Sequence, residues 1–144
     1  TFFDVSSGVD QVAATPLRPL FEDLVQMGCK LGVATNAREV SAHRLLDAEA
    51  IADLVTFVSG ADSGFGAKPD PGQLLAFAKA TGLAPGQIAM VGDTTHDLMA
   101  GRAAKTVCVG VLTGASPHDV LAPLADVVLP DISHLPAWLT SRET

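Results

Sequence analysis

Ala89-Met90-Val91-Gly92-Asp93-Thr94-Thr95-His96-Asp97 decides how this chain is read. Three apolar residues run into a glycine and then two carboxylates four positions apart. The apolar run predicts a buried strand, and Leu98, Met99, Ala100 and Ala103 predict a helix directly after it. Asp93 then stands at a strand's carboxyl end, and Asp97 in the first turn of the following helix, within reach of the same point. Two carboxylates at the carboxyl edge of a parallel sheet suit a hard cation. A plainer alternative fits the same residues: Asp93 as an N-cap and Asp97 as a surface charge favoured by the helix dipole.

Outward from this stretch, short apolar runs alternate with amphipathic ones. Towards the N-terminus, Leu54–Ser59 and Lys30–Thr35 read as strands. Residues 38–46 read as a helix, as does a segment capped by Asp70-Pro71 and stopped by Gly82. A further helix is expected from Thr15 as N-cap, through Pro16, to a stop at Gly28. Its apolar residues Leu17, Leu20, Phe21, Leu24 and Val25 share one face. Thr1-Phe2-Phe3-Asp4-Val5 reads as the end of a strand reaching a carboxylate. Towards the C-terminus, strands at 106–111 and 126–129 are separated by a loop at 113–117 and a helix at 118–124. A last helix at 132–139 is anchored by Trp138. The strands are apolar throughout rather than alternating, which predicts a mostly parallel sheet covered on both faces. Sites in such folds lie beyond the strands' carboxyl ends.

At 144 residues the chain is expected to form one domain, 1–144, and with 48% apolar and 17% charged residues it has ample material for a core. The net charge of −7 argues against a general nucleic-acid binder. Cys29 and Cys108 form no metal-binding pair and read as buried reduced thiols. No run reaches membrane-spanning length and no signal peptide is visible, so a cytoplasmic protein with no membrane partner is expected. Thr1 stands where a methionine would begin a gene product, which leaves room for a missing or processed N-terminal piece.

Two other strand ends carry candidate chemistry. Thr35-Asn36 offers a hydroxyl and backbone amides to a phosphate oxygen, or else a helix cap. Lys68, within Ala67-Lys68-Pro69-Asp70-Pro71 and after Gly64 and Gly66, reads as a backbone-fixed ammonium that holds a carboxylate and a phosphoryl oxygen, or else as a solvated loop lysine. His96 between the carboxylates reads as solvated or capping, and His43, His118 and His134 have no partners at metal-ligand spacing.

Gly32-Val-Ala-Thr-Asn-Ala37, Gly66-Ala-Lys-Pro-Asp-Pro71 and Val91-Gly-Asp-Thr-Thr-His-Asp97 follow one another at intervals of about one β-α unit. In that order they resemble the second, third and fourth motifs of the haloacid dehalogenase-like (HAD) hydrolase superfamily, closest to its phosphoglycolate phosphatase-like branch. Residues 109–114 and Ala125-Asp126 resemble the family's tail, so the likeness covers 16–130. The resemblance implies a three-layer, Rossmann-like, doubly wound α/β fold. It also implies a magnesium-dependent phosphatase acting on a small phosphorylated metabolite through an aspartyl-phosphate. Asp4 would be the nucleophile. Asp4, Asp93 and Asp97 would hold Mg2+, Asp97 through water or by holding Lys68. Thr35 and the Asn36 amide would hold the phosphoryl oxygens, and Lys68 would neutralise their charge and orient the nucleophile.

The first motif departs from the family pattern. Asp-x-Asp-Gly-Thr is replaced by Asp4-Val5-Ser6-Ser7-Gly8, and Ser6 has no acidic proton for a leaving group. General acid-base help is worth about 10²–10⁴-fold. The family's helical cap belongs between the first two motifs, yet only 30 positions separate Asp4 from Thr35. Either the domain is capless or a cap has been left out near residues 5–15, and the abrupt departure after Val5 favours omission. The rival reading is a catalytically impaired phosphate-binding or regulatory module. A receiver-type phospho-acceptor, a dehalogenase and a phosphomutase fit the motif order or the missing cap less well.

Overall fold

The structure is a computed structural model, and it describes residues 2–3, 17–112 and 116–143. Six strands form one sheet: β1 (Phe2–Phe3), β2 (Leu31–Ala34), β3 (Val55–Ser59), β4 (Ala89–Gly92), β5 (Val107–Val111) and β6 (Val127–Leu129). Their spatial order is β3-β2-β1-β4-β5-β6, and each neighbouring pair runs parallel. The direction of winding reverses at β1, so the crevice of this doubly wound sheet opens between β1 and β4. Phe3 is level with Val33 of β2 on one side and Val91 of β4 on the other.

Helices α1 (Leu17–Gln26), α2 (Glu39–Ala48), α3 (Gly72–Thr81), α4 (Thr95–Ala103), α5 (His118–Leu121) and α6 (Leu135–Glu143) cover the sheet. Side chains of successive strand residues alternate between the faces. Leu31 and Val33, Ala89 and Val91, and Val109 and Val111 join Leu17, Leu20, Phe21 and Leu24 of α1 on one face, with Ala42 and Leu46 of α2 and Leu135 of α6. Ala34 and Met90 join Leu74 and Phe77 of α3 and Ala100 of α4 on the other. Cys108 meets Leu98 and Leu121 there. Both faces being dry is why the strands read as unbroken apolar runs.

Helix α3 stops as expected, because Gly82 adopts a left-handed conformation (φ 73°) and donates its N–H to the Ala78 carbonyl. Its start differs from the expectation. The N-cap is Pro71, without a side-chain cap, and Asp70 instead closes a turn onto the Ala67 carbonyl. Cys108 is buried, and burial pushes its thiol pKa up, whereas Cys29 is only half-buried. Trp138 packs against the core from α6. The expected cap at Thr15-Pro16, the loop tip at 113–115 and the whole first motif, Asp4 to Gly8, lie outside the described residues. No helix among the described residues is long and apolar enough to cross a membrane.

Candidate active site

Helix α4 begins at the carboxyl end of β4 with a reciprocal cap. Thr94 is the N-cap, and its Oγ1 accepts from the Asp97 N–H at 3.3 Å while Asp97 Oδ2 accepts from the Thr94 N–H at 3.2 Å. The cap therefore belongs to Thr94 and not to Asp93. Nor is Asp97 a surface charge, since it is 1% exposed. Both halves of the plainer reading of this stretch fail. Gly92 makes the arrangement possible. A Cβ there would stand 2.6 Å from Asp97 Oδ2 and closer still to its Cβ. Only a glycine lets the Asp97 side chain fold over the strand's end.

With Oδ2 held by the cap, Asp97 Oδ1 faces Lys68, whose Nζ lies 2.7 Å away. Lys68 is 4% exposed, which excludes the solvated-loop alternative. Its ammonium also donates to the Ala34 carbonyl at 3.2 Å, on the last residue of β2. The ammonium thus ties the end of β2 to the start of α4, across the place in the sheet that belongs to β1. A buried charge pair is tolerated when its other hydrogen-bonding positions are filled, and here both partners have further bonds.

The backbone of Lys68 is fixed from the neighbouring loop. Asn36 Oδ1 accepts from the Lys68 N–H at 2.8 Å, and Asn36 Nδ2 donates to the Lys68 carbonyl at 2.9 Å. The Lys68–Pro69 peptide is cis. The loop from Gly60 to Lys68 is pinned further back as well. Ser63 Oγ accepts from the Gly60 N–H and donates to Glu39 Oε2, and Asp62 Oδ1 accepts from the Glu39 N–H at 2.8 Å. The Ser63 bond, helped by His43, holds the Glu39 carboxyl below its usual pKa.

Thr35 follows β2 and is 1% exposed. It caps no helix, since α2 has its N-cap at Arg38 without a side-chain bond. Its N–H donates to the Ser59 carbonyl at 3.0 Å, and its Oγ1 accepts from the Ala37 N–H at 3.0 Å. With that acceptor position taken, the hydroxyl proton remains to be donated, and it meets no acceptor among the described residues. Asp93, 6% exposed, completes the edge at the end of β4.

Asn36, Lys68 and Asp97 are thus joined by hydrogen bonds. Thr35 precedes Asn36 in the chain with its Oγ1 on the Ala37 N–H, and Asp93 stands beside Asp97's cap. Asp4 lies outside the described residues. His96 is exposed. Among the described residues no three His, Cys, Asp or Glu side chains gather into a metal-binding group. Two residues of this edge carry no obvious motif. The clamping role of the Asn36 side chain is not readable from a Thr-Asn pair. Gln73 is fully buried, and its Nε2 donates to the Thr35 carbonyl at 3.1 Å. The available signal was its spacing: a polar residue next to Leu74 and four before Phe77 lies on α3's inward face.

Fold and site define a doubly wound α/β domain whose working edge gathers carboxylates, one buried ammonium and a hydroxyl donor. Residues 13–111 match the family model of haloacid dehalogenase-like hydrolases. The chain is 35% identical over 116 residues to the phosphoglycolate phosphatase of Rhodospirillum rubrum, an alignment spanning 81% of this chain and 48% of that protein. It is 34% identical over 105 residues to the phosphoglycolate phosphatase of Escherichia coli K12, spanning 73% and 40%. In three dimensions it resembles a HAD family hydrolase from Deinococcus radiodurans R1, crystallised with bound phosphate and sodium. That likeness has a TM-score of 0.81 at 21% identity and covers 89% of this chain and 59% of that one. This chain belongs to the haloacid dehalogenase-like hydrolase family. It spans between two fifths and one half of the curated relatives it matches.

Proposed function

We propose that this domain is the core of a magnesium-dependent phosphate monoester hydrolase of the phosphoglycolate phosphatase kind, acting through an aspartyl-phosphate. The observation that carries the reading is the buried Lys68–Asp97 pair, whose ammonium links the end of β2 to the start of α4. A phosphoryl group there would meet a fixed cation, and the Thr35 hydroxyl would donate its free proton to a phosphoryl oxygen. Asp4, which follows Phe3 in the sequence, is the proposed nucleophile. Its carboxylate oxygen bonds to phosphorus as the ester oxygen leaves, and water then releases phosphate from the aspartyl-phosphate. Lys68 stabilises charge on the phosphoryl oxygens in both steps.

The residues present fit Mg2+. This ion takes oxygen ligands and commonly keeps several waters, needing only one or two carboxylates beside the substrate phosphate. Asp93 supplies a buried carboxylate that is not consumed in capping α4, and Asp4 is proposed as the second. Asp97 has one oxygen on Lys68 and one on Thr94, so its role in this reading is to hold Lys68 and reach the ion through water. When bound, the ion would neutralise phosphoryl charge and orient the reacting group.

A second reading is favoured by Ser6, which stands where the family carries an acidic residue: a phosphate-binding or regulatory module that has lost leaving-group protonation. One assay separates the two. Hydrolysis of para-nitrophenyl phosphate and of 2-phosphoglycolate is measured on the full-length protein, with and without magnesium, beside Asp93→Asn. The phosphatase reading expects turnover that needs the metal and drops at least about a hundredfold in Asp93→Asn. Turnover indifferent to both would sink it. Capture of beryllium fluoride without turnover would establish the binding module instead.

A further inference from the structure

Thr35 is held through its backbone carbonyl by a side chain of α3. Gln73 is fully buried on α3, with its Nε2 on the Thr35 carbonyl at 3.1 Å. The other side of the same residue is held from β3, through the Thr35 N–H on the Ser59 carbonyl. Thr35 lies one residue past the end of β2, where the ladder gives out. Two elements, a strand and a helix, therefore fix the backbone of the residue whose hydroxyl, bonded on its acceptor side to the Ala37 N–H, keeps a proton to donate.

The side-chain type is informative. Gln73 Oε1 is buried with no hydrogen-bond partner among the described residues. Such an atom is costly to bury, and methionine, of nearly the same length, would fill the space without it. The property that methionine lacks is the N–H donor to Thr35. We propose that Gln73 is a positioning residue for anion binding: it fixes the Thr35 peptide and hence the direction of the Thr35 hydroxyl, so that phosphate affinity depends on an amide one layer below the site. This inference rests on the phosphatase reading for the role of Thr35. It adds that α3, which otherwise packs on the sheet through Leu74 and Phe77, tunes the site.

The test is Gln73→Met in the full-length protein, with Gln73→Leu as a second variant should the first fold poorly. In Gln73→Met the unpaired Oε1 disappears while the Thr35 carbonyl loses its donor, so the two effects on stability oppose each other and the melting temperature should stay near that of the parent. The KM for para-nitrophenyl phosphate, and the Kd for inorganic phosphate by titration calorimetry, should both rise roughly three- to tenfold, the worth of one hydrogen bond. Turnover at saturation should stay within about twofold, as for lost uniform binding. In a Thr35→Val background the same Gln73 substitution should have no further effect on phosphate affinity. A lowered melting temperature with unchanged KM and Kd, or an equal loss of affinity with Thr35→Val already in place, would overturn the proposal. A parent protein that hydrolyses while Gln73→Met matches it kinetically removes this inference and leaves the phosphatase reading intact. A parent that binds phosphate without hydrolysis removes the phosphatase reading, and calorimetry still decides the role of Gln73. A parent that binds no phosphate removes both.

Discussion

Two ion pairs of nearly equal length do different things in this molecule. Lys68 Nζ lies 2.7 Å from Asp97, and Arg18 Nη1 lies 2.8 Å from Asp53. The first pair has side chains 1% and 2% exposed, at the carboxyl end of the sheet, while the second has 41% and 63% exposed, between α1 and the turn before β3. Arg18 is also well bonded. It grips both Asp53 oxygens and the Ala50 carbonyl. Separation therefore does not distinguish the pairs, and burial does. In water each Arg18 partner has an alternative in solvent, so little is lost when the pair opens. Inside, neither Lys68 nor Asp97 has that alternative, so each makes the other obligatory. A charge pair that cannot relax into solvent is also what a site needs to hold a cation still beside a reacting group.

The largest effect should come from splitting the buried pair. Lys68→Met leaves Asp97 charged and desolvated, and is expected to cost about 3–5 kcal/mol in chemical denaturation as well as abolishing turnover. Lys68→Met with Asp97→Asn removes both charges and keeps an acceptor for the Thr94 N–H. That double variant should recover most of the stability and none of the activity. If Lys68→Met costs no more than Arg18→Met, the contrast between the two pairs collapses.

Gly92→Ala comes next. The new methyl group would press on Asp97 from Cβ to Oδ2, and the backbone of β4 and the capped end of α4 are both fixed against it. Overpacking of this sort costs about 1–3 kcal/mol. The loss of activity should be disproportionate, roughly a hundredfold, because moving Asp97 moves Lys68. Comparing this variant with Lys68→Met sharpens what the buried pair contributes: the first keeps both charges and spoils only their placement.

Much of this contrast could be foreseen from the residues, and some could not. Apolar runs, the Gly82 stop and the β-α rhythm reveal a covered parallel sheet, because burial on both faces leaves its mark on every strand residue. The order β3-β2-β1-β4-β5-β6 is a matter of crossovers, which no local pattern records. At the site, residue types at strand ends sufficed to nominate Thr35, Lys68, Asp93 and Asp97. They could not choose between a charge in solvent and a charge in the interior, since Lys68 and Arg18 look alike in a string of letters. Side-chain bonds to distant backbone were hidden for the same reason. Asn36 clamps a residue 32 positions away, and Gln73 reaches back 38 positions to Thr35. Asp70 shows the reverse error, a residue with good capping chemistry whose helix starts two positions later.

Thr94→Ala should have an intermediate effect. It removes the acceptor for the Asp97 N–H, a cap worth about 1 kcal/mol, but leaves the Thr94 N–H to hold Asp97 Oδ2. Half of the reciprocal cap survives, so thermal melts should shift by a few degrees and turnover should fall less than in Gly92→Ala. A loss of activity equal to that of Gly92→Ala would mean that the Thr94 hydroxyl, and not the glycine, sets the Asp97 side chain.

The smallest effect belongs to Arg18→Met. Its bond to Arg18 holds the Asp53 carboxyl below its usual pKa, and the same contact raises that of Arg18. A carboxyl depressed on folding contributes stability at pH values above its unfolded pKa, about 3.9, and loses that contribution as the pH falls through the lower folded value. Any difference between Arg18→Met and the parent should therefore be greatest at neutral pH and low salt, and should fade in acid below that range. Salt should erase it too: in 1 M NaCl the Debye length is about 3 Å and the two melts should coincide. Turnover should be unchanged throughout, because the pair lies beside α1 and touches none of Thr35, Lys68, Asp93 or Asp97. A difference that persists in 1 M NaCl would show that the Arg18 contact with the Ala50 carbonyl, rather than the charge on Asp53, carries the stabilisation, and the exposed pair would then resemble the buried one more than its exposure implies.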